Sequence, residues 1–168
     1  YNAEQLNKWK KITDFIHNNT ETKIGIQLGH AGRKGATKKP WEGNGPMETP
    51  WNLISASPIP FNENFATPKE MTLEDMEEIK AQFVQATKNA DEAGFDMIEL
   101  QTHHGFLLAS FLSPLTNIRT DEFGGSIENR LKYPLAIFKA IREVFPTEKP
   151  ISVRISATDW AENGISEQ

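Results

Sequence analysis

The chain has 168 residues, 38% of them apolar and 24% charged, with a net charge of −5 and no cysteine. These values place it among ordinary globular chains and exclude a disulfide framework, a thiolate nucleophile and a cysteine-ligated metal centre. The negative charge argues against a general nucleic-acid surface, and no apolar run approaches the roughly 18 residues of a membrane span. A cytoplasmic protein is the expectation.

Residues 3–17 carry Leu6, Trp9, Ile12 and Ile16 at helical spacing, and Asn18-Asn19 supplies a stop. Residues 23–28 read as a short buried strand that gives way to Gly29, His30, Gly32, Arg33 and Lys34. The stretch 35–70 holds six prolines with Trp41 and Trp51, too apolar for a solvated tether, and reads as a long loop capping the strand tips, with a small hairpin in it. Thr72 to Asp75 is a capping box, followed by Met76, Ile79, Phe83, Ala86, Ala90 and Ala93 at helical spacing and Gly94 as terminator. A second strand, 97–100, ends abruptly in Gln101, Thr102, His103, His104 and Gly105. Ser126 caps a helix running to about Phe145, with Leu131, Leu135, Phe138, Ile141 and Phe145 as its stripe and a kink at Pro134. Residues 151–155 form a third strand, ending in Ser156 to Trp160.

The order α, β, α, β, α, β predicts a parallel sheet of the α/β class, with three polar strand tips on one functional face. No Gly-x-Gly-x-x-Gly follows a strand, which disfavours a dinucleotide fold. A (β/α)₈ TIM barrel needs about 250 residues, so three strands predict a partial one: residues 1–168 as a fragment of a single domain.

Gln27 within an apolar strand has two readings, a hydrogen bond to neighbouring backbone or recognition of a heterocycle. Arg154, on a strand expected to be covered on both faces, needs a buried acceptor: either Glu99 as a structural carboxylate or a ligand. His103 and His104 should point to opposite sides of an extended chain. A zinc site using His30 and His104 lacks a third ligand of recognisable spacing, and no metal is expected.

Four stretches carry a specific resemblance. Gly-Ile-Gln-Leu-Gly-His-Ala-Gly-Arg-Lys (25–34), Glu-Leu-Gln-Thr-His-His-Gly-Phe-Leu (99–107), the run 111–130 from Phe111 to Arg130, and Val-Arg-Ile-Ser-Ala-Thr-Asp-Trp (153–160) resemble the old yellow enzyme family. These are FMN-dependent NAD(P)H oxidoreductases on a (β/α)₈ barrel. Gly-Arg-Lys-Gly-Ala-Thr-Lys-Lys-Pro-Trp (32–41) and Leu-Leu-Ala-Ser-Phe (107–111) look in particular like the reductase part of anthraniloyl-CoA monooxygenase and salicylyl-CoA hydroxylase type proteins.

The resemblance implies that the three strands are the third to fifth of the barrel. It implies that Gln27 binds the flavin's pyrimidine edge, that Arg154 lies beside flavin N1, and that Lys34 lies on the substrate side. It makes Gln101 and His104 the catalytic pair that binds the substrate's carbonyl oxygen. Gln101 stands where the family has histidine, and still offers an amide N–H. Phe106 stands where the family has a proton-donating tyrosine, so a proton must come from water or another group, His103 among them. The implied activity passes hydride from NAD(P)H through FMN to an activated C=C, for example of an aryl-CoA-derived dienone. The implied partners are a small unsaturated carbonyl substrate and either a second copy or the remainder of a longer chain, with no nucleic acid and no membrane. Two alternatives stand beside it: a noncatalytic partial barrel used for assembly, and a metal-dependent barrel hydrolase.

Overall fold

The computed structural model of the chain describes residues 2–48 and 50–166. Its centre is a three-stranded parallel sheet in the order β1 (Gly25–Leu28), β4 (Met97–Thr102), β5 (Ile151–Ile155). Gln27 lies opposite Glu99, and Gln101 opposite Arg154. Strand β4 runs two residues beyond the expected apolar segment, taking in Gln101 and Thr102.

Successive side chains of a strand point to opposite faces, and β4 follows that rule. Ile98, Leu100 and Thr102 are buried, whereas Met97, Glu99 and Gln101 are only half-buried. The buried face packs on helices α2 (Leu73–Glu92), α3 (Leu107–Leu112) and α4 (Ile127–Val144). A core of Phe83, Phe95, Ile98, Leu100, Leu108, Phe111, Ile137 and Ile141 fills the space between. The other face of the sheet carries the polar side chains.

Helix boundaries follow local chemistry. At α1 (Ala3–Asn19) the Asn2 side chain accepts from the Gln5 N–H, and Gln5 accepts in return from the Asn2 N–H. The helix runs through Asn18-Asn19 and stops at Thr20, whose N–H and hydroxyl both donate to the Ile16 carbonyl. Its stripe is shallow: Trp9 and Ile12 remain exposed, and only Thr13 is fully buried, donating its hydroxyl to the Ala93 carbonyl. The helix instead touches the end of α2 and the turn before β4, where Trp9 meets the Phe95 ring edge to face and His17 bonds to Asp96 at 2.8 Å. Helix α2 starts at Thr72 as its capping box predicts and ends with Gly94 at φ +90°, a conformation that favours glycine.

Helix α4 begins after Ser126 and continues through Pro134. Ile141 and Phe145 of the expected stripe are buried and Phe138 packs against the core, but Leu135 is exposed, and Tyr133, Pro134 and Ile137 complete the buried face. The Tyr133 hydroxyl donates to the Met76 carbonyl at 3.0 Å. Burial pushes the Tyr133 phenol pKa up, so it stays a donor.

The connection between β1 and α2 is not structureless. Thr37 and Pro46 form an antiparallel bridge, and β2 (Ile54–Ser55) pairs in parallel with β3 (Lys69–Glu70). Leu53, Ala56 and Met71 from this region are buried. A second cluster, absent from the periodicity of the sequence, locks it down. The Arg119 side chain is 5% exposed, and its Nη1 donates to the carbonyls of Ala56 (3.0 Å) and Met71 (2.8 Å). Asn117 Nδ2 donates to the carbonyls of Phe111 and Phe123, both at 2.8 Å. The Ser57 hydroxyl accepts from the Ile118 N–H, and the Ser110 hydroxyl accepts from the Ala56 N–H. Much of the run 111–130 is thus a fastener between the α3–α4 loop and the β2–β3 pair.

Candidate active site

The polar face of the sheet joins four of its side chains across three strands. Glu99 on β4 accepts from Gln27 Nε2 of β1 at 2.6 Å, and from Arg154 of β5 through Nε at 2.7 Å and Nη2 at 3.2 Å. Gln101 Nε2 donates to the Gln27 amide oxygen at 3.0 Å. Parallel register places these residues side by side, and β-strand alternation turns all of them to one face. The two donors hold the Glu99 carboxyl below its ordinary pKa, Arg154 first and Gln27 second, and Glu99 in turn raises that of Arg154.

Arg154 does find the Glu99 carboxylate, but it is not buried: its side chain is 57% exposed. The sequence expectation of a strand covered on both faces is not met: Val153 and Ile155, on the face opposite Arg154, are exposed as well. The fork of Arg154 is two-thirds used by Glu99, and Nη1 has no protein acceptor among the described residues.

Beyond the strand ends, the chain turns through two left-handed residues, His104 (φ +58°) and Gly105 (φ +68°). The turn at His104 departs from an extended chain, and the rings of His103 and His104 meet edge to face with centroids 3.9 Å apart. His103 is 5% exposed, and neither ring nitrogen has a partner among the described residues. Burial lowers its pKa, with help from His104 and Arg154 against Glu99, so it is held neutral. His104 is exposed. Its N–H donates to the Ser156 hydroxyl at 3.1 Å, tying the β4 tip to that of β5. Leu107 N–H donates to the His30 carbonyl at 3.0 Å, tying it to the β1 tip.

Lys34 enters from the 3₁₀ turn Gly32–Lys34 that follows β1. Its Nζ donates to the His104 carbonyl at 2.6 Å and lies 4.4 Å from the centre of the Phe61 ring and 5.8 Å from that of Phe106. Gly105 makes room for it, because a Cβ there would stand 3.3 Å from both Cε and Nζ of Lys34. Gly32 is required for a similar reason: its φ is +58°, and a Cβ would lie 2.9 Å from the Leu107 backbone.

The structure therefore gathers His104 and Lys34 at one contact, and Gln101, Gln27 and Arg154 in one network. A cavity of about 420 Å³ is lined by His104 from the first and Arg154 from the second, with His103, Ser156 and Trp160, and does not reach Lys34, Gln101 or Gln27. A cavity of about 450 Å³ lies elsewhere, among Leu6, Trp9, Phe83 and Phe95; it touches Gln27 and His30 but holds none of His104, Gln101, Arg154 or Lys34. The Nδ1 of His30 accepts from the Gly32 N–H at 3.0 Å, and burial lowers its pKa. That occupation leaves His30 a turn-forming residue, and the described residues hold no cluster of three His, Asp or Glu able to bind a metal.

Two supporting residues were not singled out from the sequence. The Ser113 hydroxyl donates to Asp159 Oδ2 at 2.6 Å, and the same oxygen accepts from the Ile165 N–H at 2.8 Å. Asp159 thereby folds the segment after β5 back against α3's C-terminus. Among the described residues no helix is long and apolar enough to cross a membrane.

Comparison with known proteins gives a consistent result. Residues 1–168 match the NADH:flavin oxidoreductase / NADH oxidase family. An NADH:flavin oxidoreductase of Gibberella zeae is 46% identical over 165 residues, covering 94% of this chain and 40% of the relative. The NADPH dehydrogenases of Listeria monocytogenes and Bacillus velezensis are 42% and 46% identical over 165 residues, covering 98% of this chain and 44% of each relative. The crystal structure of Old Yellow Enzyme from a Pichia species superposes with a TM-score of 0.78 at 32% identity, over 92% of this chain and 40% of that one. The chain spans less than half the length of these relatives. Its parallel sheet with flanking helices is an arc of a (β/α)₈ barrel, as the strand order predicts.

Proposed function

The chain belongs to the NADH:flavin oxidoreductase / NADH oxidase family, and from that premise we propose that it forms one wall of an FMN-dependent NAD(P)H oxidoreductase that reduces activated C=C bonds. The observation that carries the reading is the Gln27–Glu99–Arg154 network on the polar face of the sheet. A flavin's pyrimidine edge alternates carbonyl acceptors with an N–H donor. The Gln27 amide offers both kinds of group, and Arg154 keeps Nη1 available, so the donor set fits that edge.

FMN held there would supply hydride transfer from NAD(P)H to the substrate. Arg154 supplies a fixed positive charge where negative charge accumulates on reduction, and its bidentate hold by Glu99 keeps it there without reorganisation. Gln27 orients the same edge. His104, exposed at the β4 tip, and Gln101, three residues before it, donate to the substrate's carbonyl oxygen and draw electron density from the β-carbon. Lys34 closes the substrate side. The substrate class is an enone, and an aryl-CoA-derived dienone is the specific candidate that the stretches 32–41 and 107–111 favour.

A second reading, an assembly segment without catalysis, is favoured by Phe106 at the β4 tip, whose ring offers no proton. One experiment separates the two. The protein expressed with the sequence that flanks residues 1 and 168 is examined for its visible flavin band without oxygen. The band should bleach with NADPH or NADH and return on adding a cyclic enone. Protein that purifies without flavin and takes up no added FMN would overturn the proposal.

A further inference from the structure

We propose that Lys34 is the acid that completes the reduction, its ammonium giving a proton to the α-carbon of the carbonyl substrate. This rests on the reading above and adds a step to it. Hydride arriving at the β-carbon breaks the C=C π bond and leaves the electron pair as an enolate. A proton is then required at the α-carbon. The Lys34 N–H bond breaks with its electrons remaining on nitrogen, a C–H bond forms, and the amine is recharged by water.

The groups around His104 leave few sources for that proton. The Phe106 ring has none to give. His103 has nitrogens without exposed surface and is held neutral. The Ser156 hydroxyl accepts from the His104 N–H and is a weak acid. Lys34 Nζ remains, 5.8 Å from the Phe106 ring and hydrogen-bonded to the carbonyl of His104, the residue proposed to hold the substrate. One of its three N–H bonds is used there, and the others have no hydrogen-bond acceptor among the described residues.

Its surroundings suit the task. Phe61 covers the ammonium from the β1–α2 connection, and no carboxylate among the described residues pairs with it. The nearby charge is that of Arg33 on its own turn, engaged with the carbonyls of Ile59 and Pro60, and the titratable side chains of the β4 tip are the imidazoles of His103 and His104. Burial and then Arg33 lower the lysine pKa, making Lys34 a stronger acid than an exposed lysine. A lysine with a salt-bridged carboxylate would be shifted the other way.

The test uses the FMN-loaded protein with its flanking sequence, reduced by NADPH and mixed rapidly with a cyclic enone. Lys34→Met and Lys34→Arg should each lower the reoxidation rate constant at saturating enone by about 100-fold. The loss in the reductive step should be much smaller, and that step also reports that each variant is folded and flavin-loaded. The arginine variant keeps the charge but cannot release the proton. Wild-type reoxidation should decline at high pH as Lys34 loses its proton, and this basic limb should be missing from both variants. Reoxidation of Lys34→Arg within about threefold of wild type, or a basic limb that persists in both variants, would overturn the assignment while leaving the flavin reading intact. Wild-type protein that NADPH fails to bleach would overturn both.

Discussion

Replacing Arg119 with leucine tests whether the long β1–α2 connection is fastened as the structure shows. The substitution keeps a comparable apolar stem but removes the guanidinium that donates to the Ala56 and Met71 carbonyls. Both acceptors lie in the protein's interior, since Ala56 and Met71 are 0% and 1% exposed. Each buried acceptor left without a donor costs about 1–3 kcal/mol. Asp121, held below its ordinary pKa chiefly by Arg119, loses its partner too, but it is exposed enough that water compensates most of the loss. The expected total is about 3–5 kcal/mol, in the range for breaking a buried pair from one side. Urea unfolding followed by tryptophan fluorescence measures it, and Asp121→Asn serves as the reference at about 1 kcal/mol or less. A loss below about 1 kcal/mol in Arg119→Leu would refute the claim that these two carbonyls depend on Arg119.

Two further outcomes follow from the geometry. Burial of Asp96 opposes its ionisation, but the Ile24 N–H, His17 and Lys23 outweigh it and bring its pKa down to about 2 from the usual 3.8. A depressed carboxylate stabilises the fold above its unfolded pKa and loses that contribution as pH falls towards the folded value, so Asp96→Asn should cost about 1–2 kcal/mol at neutral pH and progressively less between about pH 4 and 2; a pH-independent deficit would contradict this. At Gly29 a Cβ would stand 2.1 Å from Gln101 Oε1 and 3.0 Å from its Cβ, forcing Gln101 away from Gln27. Gly29→Ala should therefore raise the KM for an enone about tenfold while FMN remains bound, and an unchanged KM would remove Gln101 from substrate binding.

Elements whose signals are local were legible in the sequence. Thr72 and Ser126 cap their helices because a hydroxyl and the next turn's N–H suffice for the motif, and Gly94 stops α2 because of its left-handed φ. Strand order and the polar tips could be read from periodicity and from where apolar residues cease. Long-range contacts could not. Arg119 bonds to carbonyls 63 and 48 residues earlier, and nothing in the run around it shows which side chain turns inward. The α4 stripe was right at Ile141 and Phe145 and wrong at Leu135, and the bond of the Tyr133 hydroxyl, 57 residues back to Met76, left no signal in it. Arg154 was expected to be buried because the strand 151–155 read as covered on both faces, whereas Val153, Arg154 and Ile155 are all exposed. The pairing of the two histidines was hidden by the positive φ of His104, a conformation that side-chain type does not announce.

The central claim is that the polar face of the β1–β4–β5 sheet seats the flavin. FMN titration of the apoprotein, expressed with its flanking sequence, tests it directly by fluorescence quenching in wild type and in Arg154→Met. A charge-assisted hydrogen bond contributes about 1.5–3 kcal/mol, so the variant should bind FMN roughly 10- to 150-fold more weakly. Binding of FMN by Arg154→Met within about twofold of wild type would contradict the account.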